Sequence, residues 1–215
     1  QINNLTKRYK NGKGIQDLSL NVERGQVYGL LGPNGSGKTT TMKAMTGLVQ
    51  PDSGEVNIFG CNPADGVTPA LRSVGCIIEQ PGFYPYMTGR RNMEIAGKLS
   101  GINGYSGRPS GDAIDHMLQR LGLYERQHDK VAKYSMGMKQ RLGLAMTLLP
   151  QPELLIVDEP TSGLDIEGRA WVRGILAEQQ AQGRTRLISS HLAGEIEQPC
   201  THVAVIREGR LLDTS

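Results

Sequence analysis

Residues 32–40 read GPNGSGKTT, a G-x-x-x-x-G-K-[ST] loop running from Gly32 through Gly37 to Lys38 and Thr39. Few folds accommodate it. The run before it, Gln26–Leu31 (QVYGLL), has the pattern of a short buried strand, and Lys38–Leu48 after it carries Met42, Met45 and Leu48 at helical spacing. Strand, glycine turn and helix in that order open a βαβ unit. Gly32, Pro33, Asn34, Gly35, Ser36, Gly37, Lys38, Thr39 and Thr40 are therefore candidate ligands of a polyphosphate. Glycines let successive N–H groups turn inward around an anion, and the following helix aims its positive end at the same point. Lys38 suits the β- and γ-phosphates, and the Thr39 hydroxyl suits Mg²⁺. Such a loop implies a nucleotide and leaves the reaction open.

The rest of the chain supports an α/β fold. Leu154–Val157 is a second apolar run, Arg186–Ser189 and Val203–Ile206 read as strands, and Ile175 and Leu176 sit on a helix between them. Alternating strands and helices predict a mostly parallel sheet with helices on its faces. Between Thr88 and Leu149 the pattern changes. Ile114, Met117, Leu118 and Leu121 follow i, i+3, i+4, i+7, and Gly101–Gly111 reads as a loop. One domain is expected, with an α/β core over 1–87 and 150–215 and a helical subdomain over 88–149.

Composition narrows the class. Glycine supplies 28 of 215 residues, nearly twice the usual share of about 7%, with no collagen period, so the excess belongs to loops. A net charge of 24 − 21 = +3 is too mild to mark a nucleic-acid protein, and no nucleic-acid partner is expected. No apolar run approaches the length of a membrane span. Cys61, Cys76 and Cys200 are scattered, which suggests neither a zinc site nor a disulfide framework and favours a reducing cytosol. With Gln1 first and Gly209–Ser215 reading as a strand beginning, the chain looks trimmed at both ends.

The strand Leu154–Val157 delivers Asp158 and Glu159 to its carboxyl end, where open α/β sheets bind ligands. The pair also suits a cap on the following turn. Beside a phosphate loop, Asp158 is a candidate Mg²⁺ ligand and Glu159 a candidate general base. Ser162-Gly163-Leu164-Asp165 follows at once.

Taken in order, these motifs resemble the nucleotide-binding domain of ABC transporters over nearly the whole chain. Gly32–Thr40 looks like Walker A, Leu154–Glu159 like Walker B with its glutamate, and Ser162–Asp165 like the D-loop. Gln80 resembles the Q-loop glutamine, His191 after Ser189-Ser190 the H-loop histidine, and Tyr9 the aromatic that stacks on adenine. Tyr134-Ser135-Met136-Gly137-Met138 is similar to the family signature L-S-G-G-Q, with Tyr for Leu, Met for the first Gly and Met for Gln. Ser135 and Gly137 remain, a hydroxyl and an open N–H at a helix start.

The resemblance implies a P-loop NTPase of the ABC ATPase type, with an antiparallel β edge subdomain and an inserted helical subdomain. Its cofactors are ATP and Mg²⁺. Two such domains, as homodimer or heterodimer, pair head to tail, and ATP on Gly32–Thr40 of one is closed over by Ser135 and Gly137 of the other. Glu159 is then the base, His191 touches the γ-phosphate, Gln80 touches Mg²⁺ or the lytic water, and Asp165 crosses the contact. Integral membrane permease subunits complete the assembly, placing this subunit at the cytoplasmic face of the plasma membrane. The runs around Gln80-Pro81 and Ser135–Arg141 look most like the bacitracin-export and lantibiotic-immunity exporters, which implies efflux of a peptide antibiotic or another amphipathic molecule. Phe83, Tyr84 and Tyr86 either dock the permease or seat the helical subdomain.

Rival readings are a soluble ABC ATPase acting on DNA or ribosomes and an ATP-binding regulatory module that does not hydrolyse. The stretch 88–149 leaves no room for the long coiled coil of DNA-repair relatives. The motifs read as one ATPase domain, where translation factors carry two in one chain. Glu159, Gln80 and His191 argue against lost catalysis. Tyr9 could instead pack on a sheet edge, and His191 could cap a surface helix. His116, His128 and His202 have no partners at ligand spacing. Lys7-Arg8 and Arg90-Arg91 are expected to be solvated faces.

Overall fold

A computed structural model describes residues 1–66, 69–102, 111–196 and 200–214. The chain divides into two compact units. The first comprises Gln1–Glu79, Glu153–Pro160 and Arg173–Ser215, and the second Gln80–Pro152 and Thr161–Val172. The helical unit thus takes in 80–87, 150–152 and 161–172 besides the 88–149 stretch read from sequence.

In chain order the first unit contains β1 (Ile2–Arg8), β2 (Gly14–Leu20), β3 (Val27–Leu31), α1 (Lys38–Met45), β4 (Ser53–Val56), β5 (Val74–Ile77), β6 (Leu154–Val157), β7 (Thr185–Ser190), β8 (His202–Arg207) and β9 (Arg210–Thr214). Six strands form one sheet in the order β5-β6-β7-β3-β8-β9. All its pairings are parallel except β8 with β9. A separate antiparallel sheet has the order β2-β1-β4. Strands covered on both faces read as continuous apolar runs, and all four residues of β6 are buried. Leu5, Leu18, Leu30, Met42, Ile156 and Leu187 belong to one buried cluster. β7 is buried at all six positions and carries a charge inside, Arg186. Its guanidinium donates to the Leu176 carbonyl and to Gln180 Oε1 (3.0 Å), and burial pulls its pKa down to about 10.

α1 stops earlier than the sequence reading. Its C-cap is Thr46, followed by Gly47 at φ +74°, and Leu48 is exposed rather than on the core stripe. A left-handed glycine just past a helix end is a common terminator.

The second unit holds α2 (Gly89–Leu99), α3 (Gly111–Arg120) and α4 (Met136–Leu148). The stripe Ile114, Met117, Leu118 and Leu121 is buried, as its spacing predicts. Thr88 caps α2, its side chain accepting from Arg91 N–H (3.2 Å), and Ser135 caps α4, accepting from Met138 N–H (3.2 Å). The loop read at Gly101–Gly111 falls over residues 103–110, outside the described residues. α5 (Ile166–Ala181) starts in the second unit and ends in the first, and α6 (Ala193–Ile196) follows β7.

Each of the two charged runs expected to be solvated has a side chain engaged. Arg90 pairs with Asp115 and donates to Gln127 Oε1 (2.6 Å), joining α2 to α3 and the turn after it. Lys7 pairs with Asp52 (2.8 Å), whose other oxygen accepts from Arg8 N–H (2.7 Å). In each case a carboxylate distant in sequence meets the cation, which a two-residue charge run cannot reveal.

No helix among the described residues is long and apolar enough to cross a membrane.

Candidate functional site

In the first unit, three adjacent parallel strands, β6, β7 and β3, end on the same side and deliver the chemistry there. β3 runs into the loop 32–37 and α1. Close packing explains two of its glycines. A Cβ on Gly32 would fall 2.2 Å from the Ile206 carbonyl oxygen. Gly37 has φ +112°, and a Cβ there would meet Ile15 Cγ2 at 2.7 Å. Lys38 is only 4% exposed. Its ammonium donates to Gly32 O (2.6 Å) and Pro33 O (3.3 Å) and lies 3.3 Å from Glu159 Oε1. Buried cations need such partners.

Asp158 is buried at the end of β6. One of its oxygens accepts from Thr39 Oγ1 (2.7 Å) and the other from Ser189 Oγ. Glu159 follows at φ +45°, a left-handed conformation that non-glycine residues adopt at a cost and that clusters at functional sites. Its N–H donates to Ser189 Oγ (2.9 Å), and its Oε2 sits 2.7 Å from His191 Nδ1. The Glu159 carboxylate is therefore held between Lys38 and His191. Beside His191, Ser190 Oγ accepts from Leu192 N–H (3.0 Å) and donates to Glu195 Oε2 (2.8 Å). The Ser36 hydroxyl in the loop is buried and has no hydrogen-bond partner among the described residues.

Tyr9, 39% exposed, lines a cavity of about 230 Å³ with Asn11, Lys13, Asn34, Gly35, Lys38, Thr39, Thr40 and Glu159. The site thus gathers Tyr9, the loop, Asp158, Glu159 and His191. Asn11, Lys13 and Ser189 join them without having been singled out from the sequence. The one available signal was a small hydroxyl residue at a strand end, Ser189.

The second unit carries another group. Ser135, Met136, Gly137, Met138, Gly163, Asp165 and Trp171 line a cavity of about 400 Å³. Asp165 caps α5, its Oδ1 accepting from Gly168 N–H (2.8 Å). Gly137 is the second residue of α4, at its exposed start, where the Ser135 cap leaves N–H groups open. Tyr134, in place of the signature leucine, is buried, and its hydroxyl donates to Arg126 O (2.7 Å). Burial is the main cause that pushes its pKa up. Gln80 is exposed, and its side chain makes no hydrogen bond among the described residues.

After Gln80 the backbone is pinned by buried Asn92, whose Oδ1 accepts from Tyr84 N–H (2.9 Å) and whose Nδ2 donates to Tyr84 O (3.2 Å) and Thr88 O (2.9 Å). The Tyr84 and Tyr86 rings, edge to face at 6.2 Å, stay exposed at 44% and 64%.

The family model described as ABC transporter matches residues 15–162. The bacitracin transport ATP-binding protein BcrA of Bacillus licheniformis is 45% identical over 210 residues, covering 97% of this chain and 67% of the relative. The lantibiotic transport ATP-binding protein SrtF of Streptococcus pyogenes is 37% identical over 212 residues, covering 99% and 88%. A solved ATP-binding subunit of an ABC transporter superposes with a TM-score of 0.87 at 29% identity, covering all of this chain and 88% of that one. A dimeric ATP-binding cassette in a post-hydrolysis state with ADP and Pi has the same fold, with a TM-score of 0.85 at 24% identity over all of this chain and 97% of that one.

Proposed function

This chain belongs to the ABC transporter ATP-binding family and is an ATPase, and from that premise we propose that it drives an exporter by closing head to tail on a second ABC ATPase subunit. The single observation that carries the site assignment is the cluster of Lys38, Glu159 and His191 beside Thr39 and Asp158. In this reading the loop amides and Lys38 hold the β- and γ-phosphates, and Tyr9 stacks on adenine. Ser36 Oγ, buried without a partner among the described residues, supplies a further donor to phosphate. Glu159 takes a proton from the attacking water as the bond from the γ-phosphorus to ADP breaks. His191 orients Glu159 and touches the γ-phosphate. From the second subunit, Ser135 and Gly137 complete the phosphate shell and Asp165 crosses the contact. Catalysis is then positioning and charge stabilisation.

Mg²⁺ fits the donor set. Thr39 and Asp158 offer hard oxygens 2.7 Å apart, and Mg²⁺ is usually held by one or two carboxylates, phosphates and water. Bound there, it would neutralise phosphate charge. Gln80 is assigned to Mg²⁺ or the lytic water on family resemblance.

The two units, 1–87 with 150–215 and 88–149 in the sequence reading, are proposed to act as one ATPase domain. The partners are integral membrane permease subunits, so the protein works at the cytoplasmic face of the plasma membrane. Exposure of Tyr84 and Tyr86 over a pinned backbone favours docking a permease over seating the helices. The named relatives, a bacitracin transport and a lantibiotic transport ATP-binding protein, support export of a peptide antibiotic or other amphipathic cargo.

The test is light scattering of Glu159→Gln after size exclusion, with and without Mg·ATP. A nucleotide-dependent dimer that Ser135→Arg abolishes is expected. A protein that binds ATP yet stays monomeric at high concentration counts against closure of this chain on its own copy.

A further inference from the structure

The start of α4 carries Ser135 and Gly137, but a cap residue on an exposed helix end is poorly fixed by its own hydrogen bond. Two contacts supply what the cap lacks. Where the family signature has glycine, this chain has Met136, 59% exposed. A Cβ on Gly163 would lie 2.5 Å from Met136 Cε, and Gly163 has φ +71°. The thioether therefore rests on the bare glycine of the turn before Asp165. One and a half turns further along α4, the Arg141 guanidinium lies 4.8 Å over the Trp171 ring. Arg141 has no carboxylate partner and makes no side-chain hydrogen bond among the described residues. On another side, a Cβ on Gly122 would come 3.2 Å from Arg141 Nη1. Trp171 is tied in turn to Asp165 by the first turns of α5, where Gly168 N–H donates to Asp165 (2.8 Å) and Arg169 Nε to Leu164 O (3.0 Å).

Resting on the reading that Ser135 and Gly137 close over a partner's nucleotide, we propose that Met136, Arg141 and Trp171 are positioning residues that clasp the start of α4 to the Gly163–Asp165 turn. Attachment at two separated points fixes rotation of the helix as well as its distance. Ser135, Gly137 and Asp165 are then offered as one preformed face along the cavity they share. Preorganised donors lower the barrier because none is reordered at the moment of reaction.

The test uses steady-state ATPase kinetics of the full chain. Arg141→Ala and Trp171→Leu are each expected to lower kcat about five-fold while KM for ATP moves less than about two-fold, the size of one cation–π pair felt in the transition state. Trp171→Phe, which keeps a ring face, recovers most of that loss. The Arg141→Ala/Trp171→Leu double variant loses no more than the worse single, because both remove one contact. Gly163→Ala also lowers kcat, and adding Met136→Gly returns part of it. Should Trp171→Leu fail to fold, seen as a lost cooperative melt, Arg141→Ala and the Gly163/Met136 pair carry the test. Losses that multiply in the double variant, or a kcat for Arg141→Ala within about two-fold of the parent, overturn the clasp. If Ser135→Arg leaves the ATP-dependent dimer intact, the composite-site reading fails instead. If that dimer is lost while the clasp variants stay active, the clasp alone is wrong.

Discussion

Around Lys38, buried groups hold one another through ammonium, carboxylate, hydroxyl and carbonyl at hydrogen-bond distance. Around Ser135, the contacts are a methionine on a glycine and a guanidinium on an indole. The first region pairs its buried charges within one unit and leaves one buried hydroxyl, that of Ser36, without a partner among the described residues. The second presents an exposed hydroxyl and open N–H groups at the end of a helix, with little of its own to bond them. A set of donors with few internal acceptors suits the proposed role of completing a second subunit's site. The chemistry explains the division: buried charge tolerates no loose partner, whereas an exposed face stays soluble only if its apolar parts are small and shielded.

The difference can be broken at several points. The largest effect is expected from Glu159→Gln, which should lower turnover by about 10²–10⁴ as loss of a general base does, with ATP binding kept in equilibrium titration. Turnover within about three-fold of the parent would reject Glu159 as the base. Leu118→Ala in the helical unit should cost about 2–5 kcal/mol in chemical denaturation through the cavity it leaves. Gly32→Ala should cost about 1–3 kcal/mol in the same measurement, because its Cβ meets the fixed Ile206 carbonyl oxygen at 2.2 Å as well as Ser36 Oγ at 2.7 Å. It should also weaken ATP binding, which Leu118→Ala in folded protein should not. Ser135→Ala should lower the melting free energy by about 1 kcal/mol through the lost cap. Tyr9→Ala should weaken ATP binding about five-fold, with Tyr9→Phe nearly unchanged, since stacking uses the ring and not the hydroxyl.

Much of this was legible. Walker-type loops are legible because glycine, lysine and hydroxyl are forced by phosphate geometry, and Leu154–Glu159 because an apolar strand ending in two acids is rare. The helical stripe at Ile114–Leu121 was readable for the same reason: burial imposes a period. The antiparallel strands β1, β2 and β4 were not located by their own residues. They carry bulges and register shifts that spoil alternation, and they entered only through family resemblance. Ser189 escaped because its role depends on which strand lies next to β6, a fact of topology. Arg186 looked like a strand residue and is an interior one, held by a helix carbonyl and a glutamine that no local pattern connects to it. The clasp at Trp171 was invisible because Arg141 and Trp171 are 30 positions apart.

The glycine packing has a further consequence. A Cβ on Gly32 would strike the Ile206 carbonyl, one on Gly14 the Lys7 carbonyl at 1.8 Å, and one on Gly209 the Gly14 carbonyl at 2.5 Å. Backbone thus abuts backbone where the loop, β2 and the β8–β9 turn meet. In a saturation library scored by protein abundance, these three glycines should be depleted as strongly as core leucines. Glu159 and His191 should pass that screen and fail only when transport is scored. The two scores would separate residues that build the cradle from residues that use it.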